Sequence, residues 1–384
     1  MTFYALAWVS ASRGPATASV VLTAGSIPLC LLVLAGGLVA DHWGARPVMV
    51  CCDLVMAAVM GAFAVGALWA APVWALVAVS FLSGAAAGVR RPAAGVFPRL
   101  FARGEELPRL MATLVLLLQL AQVTGPVVAG ALLAWGGLAP TSGIDAFSFA
   151  MVGLVLLATR PPLAPERPPC ERSWTTQLRD GVRLAFTSPG VPATVTAVCG
   201  LAVTILPLVE LCVPLAGHDR GWGAGGTSLV VGAWPLGGMT VMAIVARRGA
   251  PAARVALMGP VTASAGALLL AVADHLAAGV FAVLLVGIGT STTTARLFPR
   301  FTDATPEPML ARFNSVIQLA QVAPVLVATP VLGWVAHTWG TETSLLLVGV
   351  TLLATTVAVH RAEVGLSQVA EPRHPPARDA QGAR

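Results

Sequence analysis

Apolar runs of about twenty residues recur from one end of this chain to the other, and they limit what it can become. At a rise of about 1.5 Å per residue, each is long enough to cross a bilayer core of about 30 Å as a helix. By apolar length the runs fall at 18–40, 48–70, 74–96, 110–134, 144–159, 191–215, 226–246, 255–273, 277–296, 312–335 and 343–360. Alternating strands of the membrane-barrel kind are not evident. Lipid offers backbone groups no water, so such runs are predicted to be helices. Charged residues make up only 10% of the 384, too few to keep a soluble chain of this size in solution. The expected class is an all-α membrane protein.

The charges set an orientation. All 23 cations are arginine, and they gather in short segments between runs. A net charge of +6 is compatible with nucleic acid, but this clustering answers better to the positive-inside rule, so no nucleic-acid partner is expected. With the loop at Asp41 and the C-terminus inside, only Arg13 and Arg220 fall outside. Lysine-free, Ala-, Arg- and Pro-heavy usage points to a GC-rich bacterial gene; the expected localisation is the bacterial plasma membrane, as a multi-pass protein. Tryptophans such as Trp43, Trp69, Trp74, Trp135, Trp222 and Trp339 stand near run ends, as in an aromatic belt. The cysteines and histidines lack metal-ligand spacing, and no phosphate-binding glycine loop occurs, so no metal, cofactor or enzymatic activity is expected.

The chain repeats itself. Phe97-Pro98-Arg99 followed by Gln119-Leu120-Ala121-Gln122-Val123 returns as Phe298-Pro299-Arg300 followed by Gln318-Leu319-Ala320-Gln321-Val322, about 200 residues later. An even number of helices per unit preserves orientation, so this predicts a parallel repeat of two bundles. The expected divisions are 1–159 (first bundle), 160–190 (linker with a short amphipathic helix), 191–360 (second bundle) and 361–384 (disordered tail). Met1 to Ser10 is apolar but only about half a span. It reads as part of a first helix, either shortened at its start or naturally short.

Gly37-Leu38-Val39-Ala40-Asp41-His42-Trp43-Gly44-Ala45-Arg46 resembles the signature loop between helices 2 and 3 of the major facilitator superfamily. Gly37, Asp41, Gly44 and Arg46 match; His42 and Ala45 replace usual arginines. The resemblance implies twelve helices in two six-helix bundles and a transporter that rocks them about a central cavity. It implies that Asp41 latches the inner gate against the N-terminus of helix 11, with Arg46 or Arg312 as partner. Gly37 and Gly44 would permit close approach and a tight turn. Ala121, Gly125, Pro126 and Gly130 resemble the superfamily's antiporter motif, with Ala121 and Ala129 in place of glycines. Arg91-Pro92-Ala93, Val96-Phe97-Pro98 and Asp145-Ala146-Phe147-Ser148-Phe149 resemble the enterobactin-exporter and macrolide-efflux branch.

Acids within apolar runs are costly and need a reason. Glu210, between Pro207 and Pro214, reads either as a proton carrier in the cavity or as a passive interfacial carboxylate. Asp53 is a second coupling candidate, or snorkels from one turn inside its helix. Asp145 is a third, or favours the start of its helix. Arg91, Gln119, Gln122, Gln318 and Gln321 could line the pathway, or serve as anchors and helix glue. The expected function is proton-coupled export of small amphipathic molecules, by a monomer whose partners are substrate, protons and membrane lipids. Uptake or lipid transport by the same fold, and a truncated non-transporting paralogue, are the alternatives.

Overall fold

The computed structural model describes residues 1–102, 104, 106–159, 161–162, 191–303, 317 and 319–370. Every regular element among them is helical. The first half contains α1 (Thr2–Ala11), α2 (Pro15–Trp43), α3 (Ala45–Gly66), α4 (Val73–Val96), α5 (Glu106–Gly136) and α6 (Leu138–Ala158). The second begins with α7, which runs through Val191–Pro207, a π-helical turn Leu208–Cys212, and Val213–Asp219. Then come α8 (Gly223–Arg248), α9 (Ala253–Val272), α10 (Leu276–Asp303), α11 (Val325–Trp339) and α12 (Thr341–Ala370). Eleven spans are long and apolar enough to cross a membrane, matching the eleven expected runs; α1 is a ten-residue helix.

The contact pattern carries the repeat. α2 packs on α4 as α8 packs on α10, and α3 on α6 as α9 on α12. Between the halves, α5 meets α8 and α11 meets α2. Advancing each helix by six returns the same pairing, as a parallel repeat about an axis along the helices requires.

Small residues make the closest contacts. A Cβ on Gly36 of α2 would lie 2.8 Å from the carbonyl oxygen of Gly88 on α4. One on Gly237 of α8 would lie 2.5 Å from the Leu284 carbonyl on α10. In lipid, apolar side chains gain little by leaving their surroundings, so close van der Waals fit between small residues drives helix association.

Two boundaries differ from expectation. Gly137, at φ 75°, turns the chain between α5 and α6, so α6 starts at Leu138 rather than residue 144. Asp145 is therefore about two turns inside its helix, not at its start. At the far end, α12 continues to Ala370, past the expected division at residue 360. Buried Glu363 holds this extension, accepting from Arg296 Nε at 3.0 Å and Arg300 Nη1 at 2.6 Å. The amphipathic linker helix, Arg312, Gln318, the tail beyond Ala370 and the side chain of Asp41 lie outside the described residues.

Candidate functional site

Two prolines shape the helix that carries Glu210. Pro207 closes the first stretch of α7, and Pro214, having no N–H, cannot bond back to the carbonyl of Glu210. The backbone widens there: the N–H of Val213 reaches the carbonyl of Leu208, five residues back. Such π-helical turns are rare and concentrate at functional sites. Around Glu210, Leu208, Val209, Leu211 and Cys212 are buried, while Glu210 itself is half-buried.

Arg91 approaches Glu210 from the other half. It sits near the end of α4, its side chain is exposed, and it is the charged group that acts electrostatically on Glu210. Among the described residues Glu210 makes no direct ion pair. Arg91 acts from α4 of the first half and Glu210 lies on α7 of the second; an ionisable group within a span is expensive and needs a reason.

The two halves meet closely at one end. Opposite the Asp41 end, a Cβ on Gly130 of α5 would come within 2.7 Å of the Ala224 carbonyl on α8. A Cβ on Gly333 of α11 would come within 2.6 Å of Ser19 Oγ on α2. These two contacts are counterparts in the repeat. Helix α1 adds to the same seal: Tyr4 Oη donates to the Ala224 carbonyl at 2.5 Å, and Trp8 meets His218 edge-on at 6.1 Å. At the Asp41 end, residues 111–118 of α5 are exposed, and a cavity of ≈ 460 Å³ is lined by Thr240, Ala243, Ile244, Arg247 and Arg248.

The other expected site residues have separate surroundings. Gly44, at φ 89°, caps α2 and begins α3, so the tight turn is real. Gly37 faces open space, and the close approach expected of it belongs to its neighbour Gly36. Arg46 donates from Nε to the Leu156 carbonyl at 2.8 Å and from Nη2 to the Leu157 carbonyl at 2.6 Å, capping α6. Cations at a helix C-terminus are favoured by its unpaired carbonyls. Asp53 does not snorkel: it is 1% exposed and takes a bidentate bond from Arg90, at 2.7 and 3.3 Å. Asp145 is buried and accepts from Thr2 Oγ1. Of the three candidate acids, Glu210 is the one without such a direct partner among the described residues.

In the antiporter-like stretch, Gly130 makes the inter-half contact, Pro126 lies within α5, Gly125 comes near Met1, and Ala121 is exposed. Gln119 is half-buried and reaches toward Gly238 of α8. Gln321 is half-buried and Gln122 exposed.

Sequence reading missed Arg90, Tyr4, Trp8 and Glu363. Adjacent Arg90 and Arg91 gave no sign of which faced inward. For Glu363 the signal was present, since an acid just past an apolar run, with Arg296 and Arg300 at the end of another run, suggests a pair. Beyond the ends of the spans, Arg220 donates to the Ala271 carbonyl at 2.8 Å and stacks over Trp222. Burial pulls its guanidinium below the usual arginine value, opposed by Glu342, Asp274 and Asp219.

The sequence profile of the Major Facilitator Superfamily matches residues 1–323. Among curated protein sequences, none matches. Similar solved structures include a mutant of the nucleoside transporter NupG, at 15% identity and a TM-score of 0.72, covering 94% of each chain. A D-xylose-proton symporter aligns at 14% identity and a TM-score of 0.70, covering 93% of this chain and 94% of that one. A POT family transporter in complex with 5-aminolevulinic acid aligns at 12% identity and a TM-score of 0.68, covering 96% of each. At these identities the likeness is one of fold.

Proposed function

The chain belongs to the Major Facilitator Superfamily, and on that premise we propose that it exports small amphipathic molecules across a bacterial plasma membrane, driven by inward proton flow. It works as a monomer with the Asp41 end in the cytoplasm. The observation that carries this reading is Glu210: a carboxylate on an interrupted helix, acted on by Arg91 of the opposite half and without a direct partner among the described residues. Protonating Glu210 removes its attraction for Arg91, which changes the relative stability of the two arrangements of the halves. A cationic or polar substrate group competes with the proton for the same carboxylate, so proton and substrate exchange. The antiporter-like motif supports export, since its Gly130 lies at the contact that must open to release substrate outward. The arginine distribution supports the orientation, and the pieces resembling the enterobactin-exporter and macrolide-efflux branch support the substrate class.

Uptake is the second reading. Ala121 and Ala129 replace motif glycines, and one structural neighbour is a D-xylose-proton symporter.

Everted vesicles carrying the protein separate the two. A panel of amphipathic dyes, macrolides and catechol siderophores is offered under an acid-inside gradient. The expected result is accumulation of at least one compound, lost with a protonophore and lost in Glu210→Gln. Accumulation that ignores the gradient, or survives unchanged in Glu210→Gln, overturns the coupling assignment. Accumulation confined to right-side-out vesicles favours uptake.

A further inference from the structure

We propose that Asp53 is a positioning residue for Arg91, acting through Arg90; the inference rests on the coupling of Arg91 to Glu210 given above. Arg90 and Arg91 are consecutive on α4, so their side chains leave the helix about 100° apart. A single rotation of α4 about its axis therefore sets both directions. Arg90 points to α3 and is clamped there by the buried carboxylate of Asp53, in a two-pronged bond that fits the planar guanidinium. Arg91 then leaves α4 on another side of the helix, and Glu210 is the charged group that acts on it.

The clamp is needed because α4 is weakened at this turn. Pro92 lies inside the helix and has no N–H, so the Gly88 carbonyl loses its helical partner. Packing of Gly84 and Gly88 on α2 holds the helix up to that point. At this turn, among the described residues, the Asp53–Arg90 pair is the polar side-chain contact that fixes the rotation.

The second half builds the same device from different residues. Pro299 interrupts α10, the counterpart of α4. Arg296 and Arg300 flank it, and both are held by buried Glu363 from the peripheral helix α12. Each half thus pins a proline-weakened helix end with a carboxylate from an outer helix.

The test reads protonation directly and needs no substrate. Purified protein in lipid nanodiscs is titrated by infrared difference spectroscopy of the carboxylic C=O band, assigned to Glu210 by its loss in Glu210→Gln. Tyr4 and Cys212, near the same turn, absorb elsewhere and do not confuse the band. Arg91→Gln is expected to move the Glu210 midpoint. Asp53→Asn should move it in the same direction by about 0.5 pH unit or more, through weakened Coulomb coupling. Asp53→Glu should return it toward the wild-type value. Arg90→Lys keeps the charge but loses the two-pronged geometry; it should shift the midpoint as Asp53→Asn does, and it serves if that variant does not fold. A wild-type midpoint in both Asp53→Asn and Arg90→Lys, with Arg91→Gln displaced, overturns the positioning role alone. A wild-type midpoint in Arg91→Gln overturns the underlying coupling, and the positioning role with it.

Discussion

Arg91 on α4 and Glu210 on α7 act on each other from opposite halves of the chain without a direct ion pair among the described residues. A closed salt bridge would tie the halves into one position. A pair that acts at a distance instead responds to whatever comes between its members, whether proton, water or substrate. The fold supplies the rest of a switch: two bundles that touch closely through small residues at one end, with residues 111–118 of α5 exposed toward the other.

Those small residues can be tested. Gly130→Ala places a methyl group against Ser228 and the Ala224 carbonyl, and Gly333→Ala places one against Ser19. Overpacking of this kind costs about 1–3 kcal/mol, charged against the arrangement seen here and not against the one in which that end is open. Tyr4→Phe removes an inter-half hydrogen bond from the same seal, worth about 1 kcal/mol. Electron–electron distance measurements between spin labels on α5 and α8 should show the open population rising in all three, most in the glycine variants. Unchanged distance distributions would show that these contacts do not hold the seal.

Glu363 should matter for stability rather than for transport chemistry. Glu363→Gln leaves Arg296 and Arg300 without their buried anion. Breaking such a pair costs about 3 kcal/mol or more. The expected outcome is a lower melting temperature in detergent and faster amide exchange over residues 361–370, with exchange in α9 little changed. Equal exchange in wild type and variant would mean that packing of Val359 and Ala362 alone holds the end of α12.

Asp41→Asn addresses the inner latch. The loop geometry around it is that of a tight glycine turn, with Gly44 shared by two helices. Export by Asp41→Asn should fall at least tenfold while its abundance in the membrane, measured by immunoblot, stays at the wild-type level. Normal export at normal abundance would remove Asp41 from the gate.

Much of the architecture was legible because the bilayer constrains it locally. Apolar length alone located all eleven spans, and the repeat of short motifs announced the two related halves. The turn at Gly44 was legible for the same reason, since a positive φ is a property of one residue. Direction around a helix axis was not. Nothing in the order Arg90-Arg91 says which cation bonds to Asp53 and which acts on Glu210 from a distance, because that depends on how α4 is rotated against α3 and α7.

By itself, then, the sequence determined which segments cross the membrane, that they come in two matching sets, and which few residues carry charge within them. Only the tertiary structure decided which of those charges are satisfied. Asp53 and Glu363 are closed off in ion pairs and Asp145 in a hydrogen bond, each with a partner on another helix. Glu210 has no such partner among the described residues. The physical reason is that hydropathy and turn chemistry act within a few residues along the chain, whereas the pairing of a buried charge is settled by helices brought together from distant parts of it.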